Sequence, residues 1–377
     1  MQSVIIILQY VIIVKRVKRK NLRGSITFAV AADPEARPTD AKLWKNVGRS
    51  ASDCNNRRMV SVHLDAGVVA VRDTPEPHRP ENFALIRLLI GGICNTDLEL
   101  QRGYYGFSGT PGHEFVGEVV AADSPHLIGK RVVGEINLAC GECSWCARGL
   151  GRHCPQRTVL GIVRHPGAFS EFLTLPERNL HVVPASIPLE AAVFVEPLAA
   201  ACEILDQTAL AAGNEVAVLG DGKLGLLIAQ VLHAHGCRVL QFGKHPEKLR
   251  ISAARGIITE TVGARPLPVA AFPYVVDATG SPAGLRAAVT MLEPRGTVIL
   301  KSTVHGEVPV DTAPVIVNEI TLIGSRCGRF EPALDLLQRG AIDVGSLVSE
   351  RMPLSQAPEA FAIAGRPGIL KVLLTAD

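Results

Sequence analysis

A chain of 377 residues exceeds the roughly 100–200 residues of one ordinary domain, so two domains are the first expectation. With 47% hydrophobic and 20% charged residues it falls outside the disordered, collagen-like and fibrous classes. The net charge of +3 is unevenly spread: the first sixty residues hold 12 Lys and Arg against 4 Asp and Glu, the remainder 27 against 32. The folded part is therefore mildly acidic, and no nucleic-acid partner is expected.

The chain opens on an apolar run, Val4–Val14, that stops at a basic block of Lys15, Arg16, Lys18, Arg19, Lys20 and Arg23. Eleven residues are too few for a spanning helix, which needs roughly 20, and stable membrane insertion is not expected. A secretory signal would carry its charge before the apolar run, and here nothing charged precedes Val4. From Gly24 to about Met59 the sequence lacks periodicity, so residues 1–59 read as a basic, poorly ordered extension. Two readings stay open for it: an untidy extension of a cytoplasmic protein, or a transit peptide for a plastid or mitochondrion.

From about Val60 short β-rich runs follow, Val68 to Val71, Ala84 to Ile90, Phe115 to Ala121 and Arg131 to Glu135, separated by Gly and Pro turns. After about Glu190 strands alternate with apolar helices. The strands are Glu215 to Leu219, Arg238 to Phe242, Tyr274 to Asp277, Thr297 to Leu300 and Ile320 to Ile323, with a helix over Leu224 to Ala234. Such alternation predicts a parallel α/β sheet. A helix over Glu331 to Arg339 precedes two strand-like pieces, Arg351 to Leu354 and Ile369 to Leu374, that can rejoin the first domain.

Nine cysteines, four of them within fifteen residues, are unlike a secreted disulfide framework. Cys140, Cys143, Cys146 and Cys154 have the spacing of a closed, four-thiolate structural zinc site; seven residues before Cys154 are too many for the iron–sulfur run that its following proline suggests. Cys54, Cys202, Cys237 and Cys327 read as small apolar fillers. A dispersed set, Cys94, His113 and Glu196, offers three residue types that hold zinc while leaving a position open, the signature of a catalytic metal. Two zinc ions per chain are expected.

Gly220-Asp221-Gly222-Lys223-Leu224-Gly225 matches G-x-G-x-x-G between an apolar strand and an apolar helix, where it forms a dinucleotide pyrophosphate site. Gly220 suits the tight turn, Gly222 the approach of the pyrophosphate, and Gly225 the close packing of helix on strand. The second strand of such a fold ordinarily ends in Asp or Glu for the adenosine ribose; here it ends in Gly243-Lys244, without a carboxylate. That leaves room and charge for a 2′-phosphate and predicts NADP in preference to NAD. Ala278 and Thr279 follow Asp277 at another strand end and are expected cofactor neighbours.

Taken together, GICNTD, GHEFVG, the four-cysteine lobe, GAFSEFLTLP, FVEPLAAAC, the glycine turn and VVDATGSP resemble the zinc-dependent medium-chain alcohol dehydrogenase family from about residue 60 to the C-terminus. The resemblance implies a GroES-like β-rich catalytic domain over 60–208, a Rossmann NAD(P)-binding domain over 209–335, and a return to the catalytic domain over 336–377. It implies Cys94, His113 and Glu196 as catalytic zinc ligands and the four clustered cysteines as structural ones. Glu114 is similar to a carboxylate that exchanges into the zinc shell, Asp97 to one that orients the zinc histidine, and Thr96 to the hydroxyl that passes on the substrate proton. Glu99 stands where many relatives place a histidine relay. Lys371 resembles a basic residue that reaches the cofactor pyrophosphate. The implied activity is NADP-preferring oxidation of an alcohol, with Glu196 tilting the substrate toward a polyol, sugar or amino alcohol, in a homodimer or homotetramer. Two rivals are a zinc-independent quinone or alkene reductase of the same fold and a non-catalytic NADP-binding structural or regulatory protein.

Overall fold

The computed structural model describes residues 57–303 and 308–376. The Val4–Val14 run, the basic block and the expected extension through Asn56 lie outside the described residues, as does Cys54. Ordered structure begins slightly earlier than residue 60: the strand Arg58–Asp65 already pairs with Val68–Pro75, where Met59 is buried and Arg58 donates to the carbonyl of Asp73 at 2.6 Å. No helix among the described residues is long and apolar enough to cross a membrane.

Two sheets set the architecture. The first has seven strands and is built around Phe83–Gly92, which pairs antiparallel with Glu114–Ala121, with Phe172–Pro176 and with the C-terminal strand Lys371–Thr375. Val348–Pro353 lies parallel beside that last strand. Alternation explains the face selection: in Phe83–Gly92, Ala84, Ile86, Leu88 and Ile90 are buried while Arg87 between them is exposed.

The second sheet has six parallel strands in the order Ile258–Thr261, Arg238–Gly243, Glu215–Leu219, Phe272–Asp277, Leu292–Leu300, Thr321–Gly324. Glu215–Leu219, first in sequence, lies in the middle, so the order reverses between it and Phe272–Asp277. This is the doubly wound Rossmann pattern, with its crevice at the switch point. The central strands are apolar throughout because helices cover both faces; Val216, Ala217 and Val218 are fully buried. The helix Lys223–Ala234 packs Leu226, Leu227, Ile228 and Val231 into the same core as Val195, Leu198 and Ile204 of the helix Val195–Gln207. That core also takes in Ile90, Val116 and Leu373 of the first sheet, so the two layers share one continuous apolar interior.

Candidate active site

The glycine turn leaves the carboxyl end of Glu215–Leu219 with Gly220 at φ +123°, a conformation that L side chains rarely adopt. A Cβ on Gly220 would stand 2.6 Å from the Ala278 carbonyl oxygen, and one on Gly225 would stand 2.5 Å from the Gly220 carbonyl oxygen. Gly222, between them, meets nothing within 4 Å. Two glycines thus permit backbone approach and the middle one opens onto the cleft. The following helix starts at Lys223 and presents its free N–H groups there. Lys223 is part-buried; its ammonium reaches across to the carbonyl of Ile93 at 3.3 Å, and burial, with the neighbouring Lys371 charge, pushes its pKa down to about 8.

Ile93 ends the run after Phe83–Gly92, and the next residue, Cys94, precedes the helix Asn95–Gln101. Asp97 is fully buried and ties this start together: it accepts the Cys94 N–H at 2.8 Å and the Gly112 N–H at 3.1 Å. Its carboxylate also faces His113 Nδ1 at 3.4 Å, which leaves Nε2 as the nitrogen available to a metal. Burial opposes a charge on His113, but the neighbouring Asp97 and Cys94 outweigh it and hold its pKa well above the usual histidine range. Thr96 Oγ1 lies 3.8 Å from Cys94 Sγ.

Cys94, His113 and Glu114 bring one ligand atom each within 4.8 Å of one another. Glu114 is buried; one oxygen pairs with the buried Lys371 ammonium and the other, Oε1, has no partner. An orphaned buried carboxylate oxygen beside a thiol and an imidazole is a donor set that zinc satisfies. Glu196, in the first turn of Val195–Gln207, lines the same cleft but stands outside that close group. Burial, with Glu114's charge adding to it and His113 opposing it, pushes its pKa up to about 6. Lys371, expected at a pyrophosphate, sits between Glu114 and the Ile93 carbonyl; burial works against its charge, but Glu114, with Cys94 and Asp97 nearby, raises its pKa.

The four-cysteine lobe shows a fit of its own. Its sulfurs stand 3.5 Å apart for Cys143–Cys146 and Cys154–Cys140, 3.7 Å for Cys143–Cys154 and 3.8 Å for Cys140–Cys146. A tetrahedron with metal–sulfur bonds of about 2.3 Å has edges of about 3.8 Å, so the thiols already stand at the spacing of a zinc shell. Cys202 and Cys237 are buried in the shared core, as apolar fillers are.

The metal-ligand end and the glycine turn open onto one cleft of about 870 Å³ between the two sheets. Cys94, Thr96, Glu114 and Glu196 line one end; the glycine turn, Ala278 and Thr279 line the middle; Gly243, Lys244, His245, Val262 and Leu267 line the other end. At that far end the fold adds a group that sequence order conceals. A carboxylate does stand at the end of Arg238–Gly243, supplied by Asp221 of the glycine turn: a Cβ on Gly243 would meet Asp221 Oδ2 at 2.6 Å. Neighbouring strands carry the two residues into one space, which their 22-residue separation in sequence conceals.

Sequence reasoning also passed over Lys301, which lines the cleft and donates to Ser325 Oγ at 3.0 Å and the Arg326 carbonyl at 2.7 Å. Burial pushes its pKa down to about 8. Its signal was present, because it directly follows the parallel strand Leu292–Leu300 at the carboxyl edge where ligands sit. Glu99, Asn95 and Tyr104 also line the cleft, with Glu99 paired to Arg102 at 2.5 Å.

Comparison with known proteins places this geometry. Residues 80–185 match the model of the alcohol dehydrogenase GroES-like domain, and residues 224–339 match that of the zinc-binding dehydrogenase. A sorbitol dehydrogenase of Halalkalibacterium halodurans is 28% identical over 340 residues, covering 85% of this chain and 99% of the relative. An L-threonine 3-dehydrogenase of Streptomyces avermitilis is 32% identical over 331 residues, covering 80% and 94%. Among solved structures, an alcohol dehydrogenase from Thermus sp. ATN1 superposes with a TM-score of 0.75 at 30% identity, covering 85% of this chain and all of that one.

Proposed function

The chain belongs to the zinc-dependent medium-chain alcohol dehydrogenase family, and on that premise we propose that it catalyses reversible hydride transfer between a polar alcohol and a nicotinamide dinucleotide at a zinc centre. The observation that carries the reading is the continuity of the cleft, which joins the Cys94, His113 and Glu114 cluster to the glycine turn. Cys94, His113 and Glu196 would hold the catalytic metal, with Glu114 as the exchanging carboxylate, and Cys140, Cys143, Cys146 and Cys154 would hold a second, structural one. Once bound, zinc supplies Lewis acidity to the alcohol oxygen and the nicotinamide accepts the hydride.

The chain's own groups do the rest. Asp97 orients His113, Thr96 takes the alcohol proton beside Cys94, and Gly220, Gly222, Gly225 and the start of the helix Lys223–Ala234 seat the pyrophosphate. Lys223 and Lys371 place positive charge at the junction of the two ends. Around the adenosine ribose, Lys244 offers a charge to the 2′-phosphate of NADP and Asp221 an acceptor to the 2′-hydroxyl of NAD.

We assign residues 60–208 and 336–377 to the catalytic domain and 209–335 to the nucleotide domain. Self-association into a homodimer or homotetramer is supported by the edge strand Thr321–Gly324, where Leu322 and the neighbouring Ile316 and Val317 are exposed. A reducing, cytoplasmic location is in keeping with four clustered thiols that stand at the spacing of a metal shell.

The reading is tested by following NADH and NADPH formation across polyols, sugars, amino alcohols and aliphatic and aromatic alcohols, with zinc measured on the same preparation. Turnover of a polar alcohol that disappears in Cys94→Ser and in metal-stripped protein is the expected result. Zinc-independent reduction of quinones or activated alkenes, with no alcohol oxidised, would overturn it.

A further inference from the structure

The far end of the cleft holds an arrangement that the sequence pattern conceals. Asp221, the second residue of the glycine turn, sends its carboxylate sideways to the end of the adjacent strand Arg238–Gly243. There it fills the place of the side chain that Gly243 lacks: a Cβ built on Gly243 would stand 2.6 Å from both Cβ and Oδ2 of Asp221. Positions 221 and 243 therefore share one space, and glycine at 243 is the condition for a carboxylate from 221.

The carboxylate is also held in place. The His245 N–H donates to Asp221 Oδ2 at 2.6 Å, and His245 Nδ1 lies 3.0 Å from Oδ2 and 3.2 Å from Oδ1. Asp221 is only 8% exposed, whereas Lys244, beside it on the wall of the same cleft, is exposed. A fixed, nearly buried charge is screened by salt and water far less than one on a mobile, solvated lysine.

We propose that Asp221 selects the dinucleotide, its carboxylate accepting the adenosine-ribose hydroxyls and repelling a 2′-phosphate, so that the cleft prefers NAD to NADP. This rests on the reading of the cleft as a dinucleotide site. It reverses the preference that Gly243 and Lys244 imply as a sequence, because the ribose carboxylate has moved from the second strand to the first turn while keeping its place in space. Glycine at 243 then serves to admit Asp221, and the room it leaves is already taken.

The test needs no knowledge of the alcohol. Full-length, zinc-loaded protein is titrated with NADH and with NADPH, and binding is followed by the fluorescence of the reduced nicotinamide. Wild type is expected to bind NADH at least about tenfold more tightly than NADPH. Asp221→Asn retains an acceptor for the His245 N–H but removes the charge, and is expected to tighten NADPH while weakening NADH. Asp221→Ser, which shortens the side chain, should narrow the ratio further, and Lys244→Ala should leave the NADH preference standing. NADPH bound as tightly as NADH by wild type, or both dinucleotides weakened equally by Asp221→Asn, would overturn the proposal. The wild-type ratio decides the matter if a variant fails to fold. Binding of neither dinucleotide by wild type would instead overturn the oxidoreductase reading itself.

Discussion

Phe169 illustrates how an apolar residue can govern a polar site. It is fully buried, and a Cβ on Gly112 would stand 2.5 Å from its ring, so the ring lies directly on the backbone that leads into His113. Its ring also packs T-shaped with that of Phe361, centroids 6.1 Å apart. Truncation removes the surface against which Gly112 and His113 are held. Phe169→Ala is expected to lose about 3–5 kcal/mol of stability in urea unfolding and to lower zinc occupancy at the cleft. A loss below about 1 kcal/mol would mean that the loop is held by its hydrogen bonds, from Gly112 N–H to Asp97 and from Ala168 N–H to the Gly112 carbonyl, without the ring. At this scale motif residues are readable from sequence because their chemistry is unusual, as with Cys94 and His113. Phe169 is not, since one core phenylalanine resembles another until its neighbours are known.

Between elements, charge pairs record which segments meet. Glu190 of the short helix Leu189–Ala192 receives two hydrogen bonds of 2.6 Å from Arg351 of the strand Val348–Pro353, 161 residues away. These bonds hold its pKa below the ordinary carboxylate value of 4.5. A depressed carboxylate adds stability that is present above pH 4.5 and is lost as the pH falls through its folded-state value. Both side chains are more than a third exposed, so solvent screening keeps the contribution small. Unfolding free energies of wild type and Glu190→Gln should therefore differ at pH 7 and converge as the pH falls below 4.5. A constant gap across that range would show that packing, and not the ion pair, sets the difference. Most strands were legible as alternating or continuous apolar runs, and Glu215–Leu219 falls where the pattern places it. Ile258–Thr261 was not, because this edge strand carries Thr259 and Glu260 and has only one neighbour to pack against.

Across the whole molecule the four-cysteine lobe acts as a clasp. Arg152 donates to the Cys327 carbonyl at 2.6 Å and to Glu203 at 2.9 Å, while Arg326 donates back to Asn137 Oδ1 and to the Arg152 carbonyl, each at 2.9 Å. These bonds join the lobe to the segment that follows the parallel sheet. Metal in the lobe is thus expected to stabilise the chain, and metal in the cleft to serve chemistry. Cys146→Ser should lose one of two zinc ions per chain together with several degrees of melting temperature. Cys94→Ser should lose the other with little change in melting. Elemental analysis alongside calorimetry separates the two, and retention of both ions by Cys146→Ser would exclude a structural zinc in the lobe. The sequence by itself determined the parallel α/β sheet, the β-rich partner, the glycine turn and the clustered thiols, because periodicity and close spacing are local properties. The tertiary structure alone decided what neighbouring strands bring together. It set Lys371 against Glu114, gathered Glu114 with Cys94 and His113, and put the Asp221 carboxylate in the space at Gly243. The physical reason is that a site is defined by distances across strands, and strand order is chosen by burial of the whole apolar surface, to which every segment contributes.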